Sequence, residues 1–321
     1  MNADASKQQR VVALSGGIGG AKLALGLKRV LPPDSLTIIA NTGDDFEHMG
    51  LSISPDIDTL IYTLAGLSDT QRGWGRANET WTFMSAVQAL GGETWFNLGD
   101  GDLAMHVQRT ARLAEGHSLS TITADNCATL GVGALILPMS NQPVRTRLQS
   151  EEGWLDFQDY FVGRQAEPVV NDISYAGSEA ANPAPGLIDV LTAEDVAAII
   201  ICPSNPLISI EPILAVPGVR QALRKASAPV IAVSPIIDGQ SVKGPTAKMF
   251  RELGFAVSAA TVLQRYNDIL DAFIADPRDM HALETISTEI VLVPADIMMV
   301  TLDDRERLAR TVMDVAQRYT A

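Results

Sequence analysis

Four aspartates stand close together in the first fifth of the chain: Asp44, Asp45, Asp56 and Asp58. Carboxylate oxygens are the natural protein ligands of Mg²⁺, which takes one or two of them and completes its shell with water and substrate phosphates. Asp56 and Asp58 are two apart where Ser54-Pro55 opens a helix, so they do not share a face. Acids in a first helical turn also serve the helix dipole without any metal. Asp44 and Asp58 are the expected metal ligands. Asp45 is the expected acceptor or base, and Asp58 is expected to act at the reacting centre as well.

A second device precedes them. Ser15-Gly16-Gly17-Ile18-Gly19-Gly20 separates a short apolar run, Val11-Val12-Ala13-Leu14, from a helical pattern with Lys22 near its start. A glycine bend between strand and helix leaves backbone N–H groups at the positive end of a dipole, where an anion can approach closely. The plainer alternative is a tight turn without a ligand. Gly16, Gly17, Gly19, Gly20 and Lys22 are the expected phosphate-binding residues. The run is not a Walker A loop, because Lys22 is followed by Leu23. Nor does it meet the dinucleotide fingerprint: Lys22 takes the third glycine position and Asn41 stands where a ribose-binding acid belongs.

Weaker signals lie further on. Ser204 and Asn205, in Pro203-Ser204-Asn205-Pro206, offer donors and acceptors to a sugar, base or phosphate, although an ordinary turn after a strand reads the same way. Gly244 and Lys248 repeat the anion pattern at another helix start, with a capped helix and a solvated lysine as the equal alternative. Asp100-Gly101-Asp102 reads as a cap or a ligand loop, and His106 on the helix that follows reads as a packing histidine. Trp74 and Trp81 could stack a flat ring, although aromatic residues near a helix start more often belong to a core. Cys127 and Cys202 form no C-x-x-C, which excludes a zinc ribbon or thioredoxin-type motif and suits a reducing compartment.

These residues need a scaffold. Apolar runs at 11–14, 36–40, 196–202 and 230–233 look like buried parallel strands. Helical spacing covers 21–31, 55–64, 79–90, 103–114, 121–130, 219–226, 246–253 and 303–319, with Asn78 as an expected cap. Strands are also expected at 133–137, 144–149, 155–162, 270–275 and 290–293, and a long loop at 163–186. The fold class is α/β: a Rossmann-like, mostly parallel sheet flanked by helices, with a smaller inserted strand and loop lobe. Its expected parts are a polar tail (1–10), a first α/β half with the glycine loop and aspartates (11–135), the insertion (136–190) and a second α/β half (191–321).

Composition limits the partners. The 24 Lys and Arg face 38 Asp and Glu, a formal net charge of −14, so neither nucleic acid nor an anionic membrane is an expected partner. The N-terminal segment lacks the apolar stretch of a secretory signal, and no apolar run is long enough to span a bilayer. A cytoplasmic protein is the expectation, with a homodimer as the default assembly.

Together, residues 15–22, Asn41-Thr42-Gly43-Asp44-Asp45, Ser54-Pro55-Asp56-Ile57-Asp58-Thr59, Arg72-Gly73-Trp74-Gly75 and Leu98-Gly99-Asp100 resemble one family in their order. Phe157-Gln158-Asp159-Tyr160-Phe161, Pro203-Ser204-Asn205-Pro206 and Ser234-Pro235-Ile236-Ile237 extend the likeness over nearly the whole chain. The family is that of the 2-phospho-L-lactate transferases of coenzyme F-420 biosynthesis (CofD type). The resemblance implies a deazaflavin acceptor, Fo, and a guanosine diphosphate-linked three-carbon donor of 2-phospholactyl, phosphoenolpyruvyl or 3-phosphoglyceryl type. The phospho-three-carbon unit passes to the ribityl hydroxyl of Fo, GMP leaves, and coenzyme F-420-0 or its dehydro form results. It also implies Mg²⁺ as cofactor, with Asp44 and Asp58 at metal and active-site positions. One departure is visible: many members carry a basic residue where this chain has Gly101, and Arg76 and Arg109 are the candidates to take its place. The rival readings are an NAD(P)-dependent oxidoreductase and a non-catalytic nucleotide-binding regulator of the same fold.

Overall fold

The computed structural model of the chain describes residues 10–320. The expected polar tail lies outside them except for Arg10, which opens the first strand. The first part of the chain runs β1 (Arg10–Ser15), α1 (Gly17–Val30), β2 (Leu36–Ala40), β3 (Phe46–His48), β4 (Leu51–Ile53), α2 (Pro55–Leu64), α3 (Thr82–Ala89), α4 (Asp100–Ala114), α5 (Leu119–Thr129) and β5 (Leu135–Pro138). Three strands follow, β6 (Arg145–Ser150), β7 (Gly153–Asp156) and β8 (Asp172–Ala176), then α6 (Leu187–Thr192). The rest is β9 (Val196–Ile201), α7 (Glu211–Ala215), α8 (Val219–Lys225), β10 (Val230–Val233), β11 (Ile236–Ile237), β12 (Gln240–Ser241), α9 (Thr246–Glu252), α10 (Ala259–Tyr266), β13 (Ala272–Ala275), α11 (Met280–Leu283), β14 (Val291–Pro294) and α12 (Leu302–Thr320).

Seven strands form one sheet in the order β14-β13-β10-β9-β1-β2-β5, and every pairing in it is parallel. This is the expected Rossmann-like architecture. The period of two along each strand supplies both faces. Val11, Ala13, Ile38 and Ile200 point into a core with Leu23 and Leu27 of α1, Ile57 and Ile61 of α2 and Leu308 and Val312 of α12. Val12, Leu14, Ile39 and Ile201 point into the opposite core, with Leu187 of α6, Leu223 of α8 and Leu263 of α10. β6, β7 and β8 make a separate antiparallel sheet in the order β7-β6-β8.

Several boundaries differ from the sequence reading. The strand expected at 155–162 ends at Asp156, and a π-helical turn at Asp159–Gly163 follows, with Phe157 stacked on Phe161 at 5.4 Å. The loop expected at 163–186 contains β8, paired along β6 from Arg145↔Ala176 to Gln149↔Asp172. Its alternation is short and lies within Gly, Pro and Asn that mask it. α1 starts at Gly17, so most of the glycine run is helix rather than loop.

α3 begins at Thr82, and Asn78 adopts a left-handed backbone instead of capping it. The caps come from across the turn. The Asp100 carboxylate accepts from the backbone N–H groups of Thr82 (3.2 Å) and Phe83 (3.0 Å). Reciprocally, Glu79 accepts from Gly101 (2.6 Å) and Asp102 (2.9 Å) at the start of α4. This exchange satisfies orphan helix donors at both ends and fixes the turn that aims α4.

Candidate active site

The chain leaves β1 toward β2 on one side and returns to β9 on the other, so the order reverses between β1 and β9. Ligands of open α/β sheets bind outside the carboxyl ends of the strands at such a reversal. Here the bends after β1, β2 and β9 meet. Asn41, at the end of β2, is their hub: its side-chain amide nitrogen lies 3.1 Å from Asp44 Oδ1, 2.9 Å from Asp56 Oδ2 and 3.1 Å from the Ile208 carbonyl oxygen. Asp56 Oδ1 accepts from the Gly17 N–H at 2.6 Å, so a carboxylate of this chain sits at the start of α1.

Asp44, Asp45, Asp56 and Asp58 are all buried. Burial, and then the charge of Asp56, drives the Asp44 carboxyl well above its ordinary range. Burial likewise raises Asp56. Asp45 is lifted to about 7 by burial, against the pull of Arg145 and of the Ser54 hydroxyl, which donates to its Oδ2 at 2.8 Å. Ser54 therefore serves Asp45 rather than capping α2 through its side chain. Asp45 Oδ1 is closed off with no hydrogen-bond partner, as are the hydroxyls of Thr42 and Thr146.

Asp58 belongs to a different group. Its two oxygens meet both terminal nitrogens of the fully buried Arg109, in a fork-to-fork pair. His106 Nδ1 lies 3.7 Å from Asp58 Oδ2, and His106 Nε2 lies 3.4 Å from Asp102 Oδ1. The Tyr62 hydroxyl donates to the same Asp102 oxygen. Although burial opposes it, the adjacent His106 imidazole and the Tyr62 hydroxyl hold Asp102 below its usual range. Asp58, Asp102 and His106 offer ligand atoms within 4.8 Å of one another, a group able to hold a metal ion. As their spacing in sequence requires, Asp56 and Asp58 serve opposite sides of α2.

The glycines let the bends after β1 and β9 touch. A Cβ on Gly19 would stand 2.6 Å from the Pro203 carbonyl oxygen, and one on Gly20 would stand 2.3 Å from Ser15 Oγ and 2.4 Å from Ser204 Oγ. A Cβ on Gly16 would meet Asp56 Oδ2 at 2.7 Å. Ser204 ties the two bends, donating to the Gly16 carbonyl at 2.7 Å, while Asn205 caps the turn after it by accepting from Leu207 N–H at 2.9 Å. Gly244 precedes α9, and Lys248 on that helix pairs with Glu252 (2.6 Å) and donates to the Pro168 carbonyl (2.7 Å). Lys22 donates to the Met299 carbonyl (2.8 Å) and lines a cleft of about 370 Å³ between α1, α2 and the 68–75 loop. Arg76 lies 3.5 Å from the Gly101 carbonyl, and Arg109 is committed to Asp58. Cys127 and Cys202 are buried, and burial pushes both thiols up to about 12.

The profile of the family described as 2-phospho-L-lactate transferase CofD matches residues 11–319. The chain belongs to this family. A phosphoenolpyruvate transferase of Kitasatospora aureofaciens is 39% identical over 317 residues, covering 96% of this chain and 98% of that protein. A 2-phospho-L-lactate transferase of Methanosarcina mazei is 37% identical over 306 residues, covering 94% and 99%. Among solved structures, a member of the UPF0052 family from Bacillus halodurans superposes with a TM-score of 0.63 at 14% identity, covering 95% of this chain and 99% of that one, a likeness of fold. Family membership carries with it a transferase of phospho-three-carbon units in coenzyme F-420 biosynthesis.

In this CofD-family chain three site features escape the sequence reading. Asn41 reads in sequence only as a missing ribose acid, yet it bridges two aspartates. His106 reads as a packing residue, yet it sits between Asp58 and Asp102. Arg109 reads only as a stand-in at the Gly101 turn. The available signal is the spacing of Asp102, His106 and Arg109, four and three apart on one helix face.

The donor set suits a hard cation. Asp44 and Asp45 present only oxygens and are raised chiefly by burial, Asp45 Oδ1 has no partner, and among the described residues the ligand atoms that converge within 4.8 Å are those of Asp58, Asp102 and His106.

Proposed function

We propose that the protein transfers a phospho-three-carbon unit from a guanosine diphosphate-linked donor to the ribityl hydroxyl of Fo. The hydroxyl oxygen attacks the phosphorus that carries the three-carbon unit, the bond from that phosphorus to the GMP phosphate breaks, and the hydroxyl proton goes to a carboxylate. The observation that carries the reading is the burial of Asp44, Asp45, Asp56 and Asp58 beside the carboxyl ends of β1, β2 and β9. Phosphoryl-type transfer needs alignment and charge neutralisation more than covalent help, and this is a site of fixed charges.

Asp44 and Asp58 are the proposed holders of Mg²⁺, Asp58 from within its group with Asp102 and His106. Arg109 takes two of the roughly four lone-pair sites of the Asp58 carboxylate and leaves the others. Bound there, the ion supplies neutralisation of diphosphate oxygens. Asp45, lifted to about 7, is matched to accept a proton near neutral pH. Arg109 and His106 keep Asp58 fixed while substrate binds. In this reading the enzyme is cytoplasmic and a homodimer. No helix among the described residues is long and apolar enough to cross a membrane.

The test is mass spectrometry of the product formed from Fo with each guanylyl donor in turn, with and without Mg²⁺. One donor is expected to add its phospho-three-carbon mass to Fo and to release GMP. Fo left unchanged by every donor in the presence of Mg²⁺ would remove the reading.

A further inference from the structure

The cleft of about 370 Å³ between α1, α2 and the 68–75 loop collects basic side chains in a protein of net charge −14. Lys22 of α1, Lys243 from the turn before α9, and Arg305 of α12 line it, with Arg72 from the 68–75 loop. Arg72 is neutralised by Asp69 at 2.8 Å. The other three are not so paired. Lys22 and Lys243 donate to the backbone carbonyls of Met299 (2.8 Å) and Gly73 (3.2 Å). Arg305 Nε is closed to solvent and has no partner. Asp304, beside it in sequence, has its carboxylate occupied by the N–H groups of Val300 and Thr301.

Such crowding is costly unless something answers it. Burial, then Arg305 and Lys243, holds the Lys22 ammonium below its usual range. Unpaired cations gathered in a cleft are kept where an anion supplies the missing charge. The position is also telling. Tyr62 forms part of the wall, and its hydroxyl is bonded to Asp102, next to Asp58 and His106. Ile18 and Lys22, from the first turns of α1, form another part. The cleft thus has Tyr62, which is bonded to that carboxylate group, on one side and the first turns of α1 on the other. Because Asp56 already takes the Gly17 N–H, the anion position at that helix start is filled by this chain's own carboxylate.

We propose that Lys22, Lys243 and Arg305 form the seat for the diphosphate linkage of the donor. This rests on the guanosine diphosphate-linked donor of the proposed function: two phosphate charges and the carboxylate of a three-carbon acid answer three unpaired cations. The exposed ring of Trp74, over which the Arg72 guanidinium lies at 5.2 Å, provides a flat surface at the rim for the attached base.

The test is calorimetric titration of GDP, and separately of inorganic pyrophosphate, into the full chain and into Lys243→Gln, Arg305→Gln and the control Lys225→Gln on α8. Lys243→Gln and Arg305→Gln are each expected to weaken both ligands about tenfold or more, while the control binds as wild type does. Circular dichroism and melting accompany each variant, and Lys243, on a turn, keeps the test decisive should Arg305→Gln unfold. Unchanged GDP and pyrophosphate affinity in Lys243→Gln with the fold intact would overturn the seat. If no donor yields product from Fo but both variants still lose GDP and pyrophosphate, the seat stands and the transfer reading falls. If product forms and the variants bind GDP as wild type does, the transfer reading stands and the seat falls.

Discussion

At the scale of single residues, Asp58 and Asp45 are both buried acids, but their surroundings set different consequences. If Asp58 holds the metal, Asp58→Asn stops transfer, and it also strips Arg109 of its counter-charge inside the protein. Leaving one half of a buried pair costs about 3–5 kcal/mol. The expected result is therefore lost turnover with a clearly lowered melting temperature, and a double change, Asp58→Asn with Arg109→Met, that recovers stability but not activity. Wild-type turnover in Asp58→Asn at saturating Mg²⁺ would refute its assignment. Asp45→Asn separates the two effects, because burial opposes the charged form of Asp45 and the pull of Arg145 offsets only part of that cost. Turnover should fall about a hundredfold or more while the melting temperature at pH 8 holds or rises. Kinetics and melting curves on the same sample check both. The aspartates were legible because carboxylates after a parallel strand and at a helix start are few and chemically pointed. Asn41 and Arg109 were not, because their importance comes from partners far along the chain: Ile208 for one, Asp58 for the other.

At the scale of elements, α1 and α12 cross where Gly26 removes a side chain, and a Cβ there would stand 2.2 Å from the Arg305 carbonyl oxygen. Helix propensity alone favours Gly26→Ala, yet the crossing forbids it. The expected cost is about 1–3 kcal/mol from overpacking, read as a lower denaturant midpoint. A gain in stability would show that the two helices do not cross this closely. Another tie joins α8 to the end of α10: Arg220 and Arg224 both donate to Asp268. The Arg220 hydrogen bond, with help from Arg224, pulls Asp268 down to about 2. A depressed carboxyl contributes stability that is present above its unfolded value near 4 and lost as pH falls through about 2. Solvent screening of this partly exposed group leaves about 1 kcal/mol. Asp268→Asn should thus melt lower than wild type at pH 7, and the difference should close toward pH 2. A difference independent of pH would reject the account. Apolar runs made β1, β2, β9 and β10 readable, since strands covered on both faces carry continuous Val, Ile and Ala. β8 was hidden because its partner β6 supplies the pairing that its own short pattern lacks.

At the scale of the whole molecule, the net charge and the cleft pull in opposite directions. A protein of charge −14 repels an anionic donor at long range, while Lys22, Lys243 and Arg305 attract it at short range. The two act over different distances and respond differently to salt. The overall charge was plain in the composition. The cleft was not, because its three cations come from the first helix, a turn before α9 and the last helix, and only the docking of α12 on α1 assembles them. Salt weakens short contacts between ligand phosphates and partly exposed cations by competing for both, while it also screens the repulsive field of the whole surface. If the cleft dominates, GDP affinity falls steadily as NaCl rises from about 50 to about 500 mM, by several-fold. If the surface field dominates, affinity first rises. We expect the fall, since the three cations would touch the ligand, whereas charges spread over the surface beyond a Debye length of about 10 Å are largely screened already. Lys243→Gln should flatten that slope as well as weaken binding, because one of the competing contacts is gone. An affinity that climbs with salt, or a slope that Lys243→Gln leaves untouched, would show that the donor is held elsewhere.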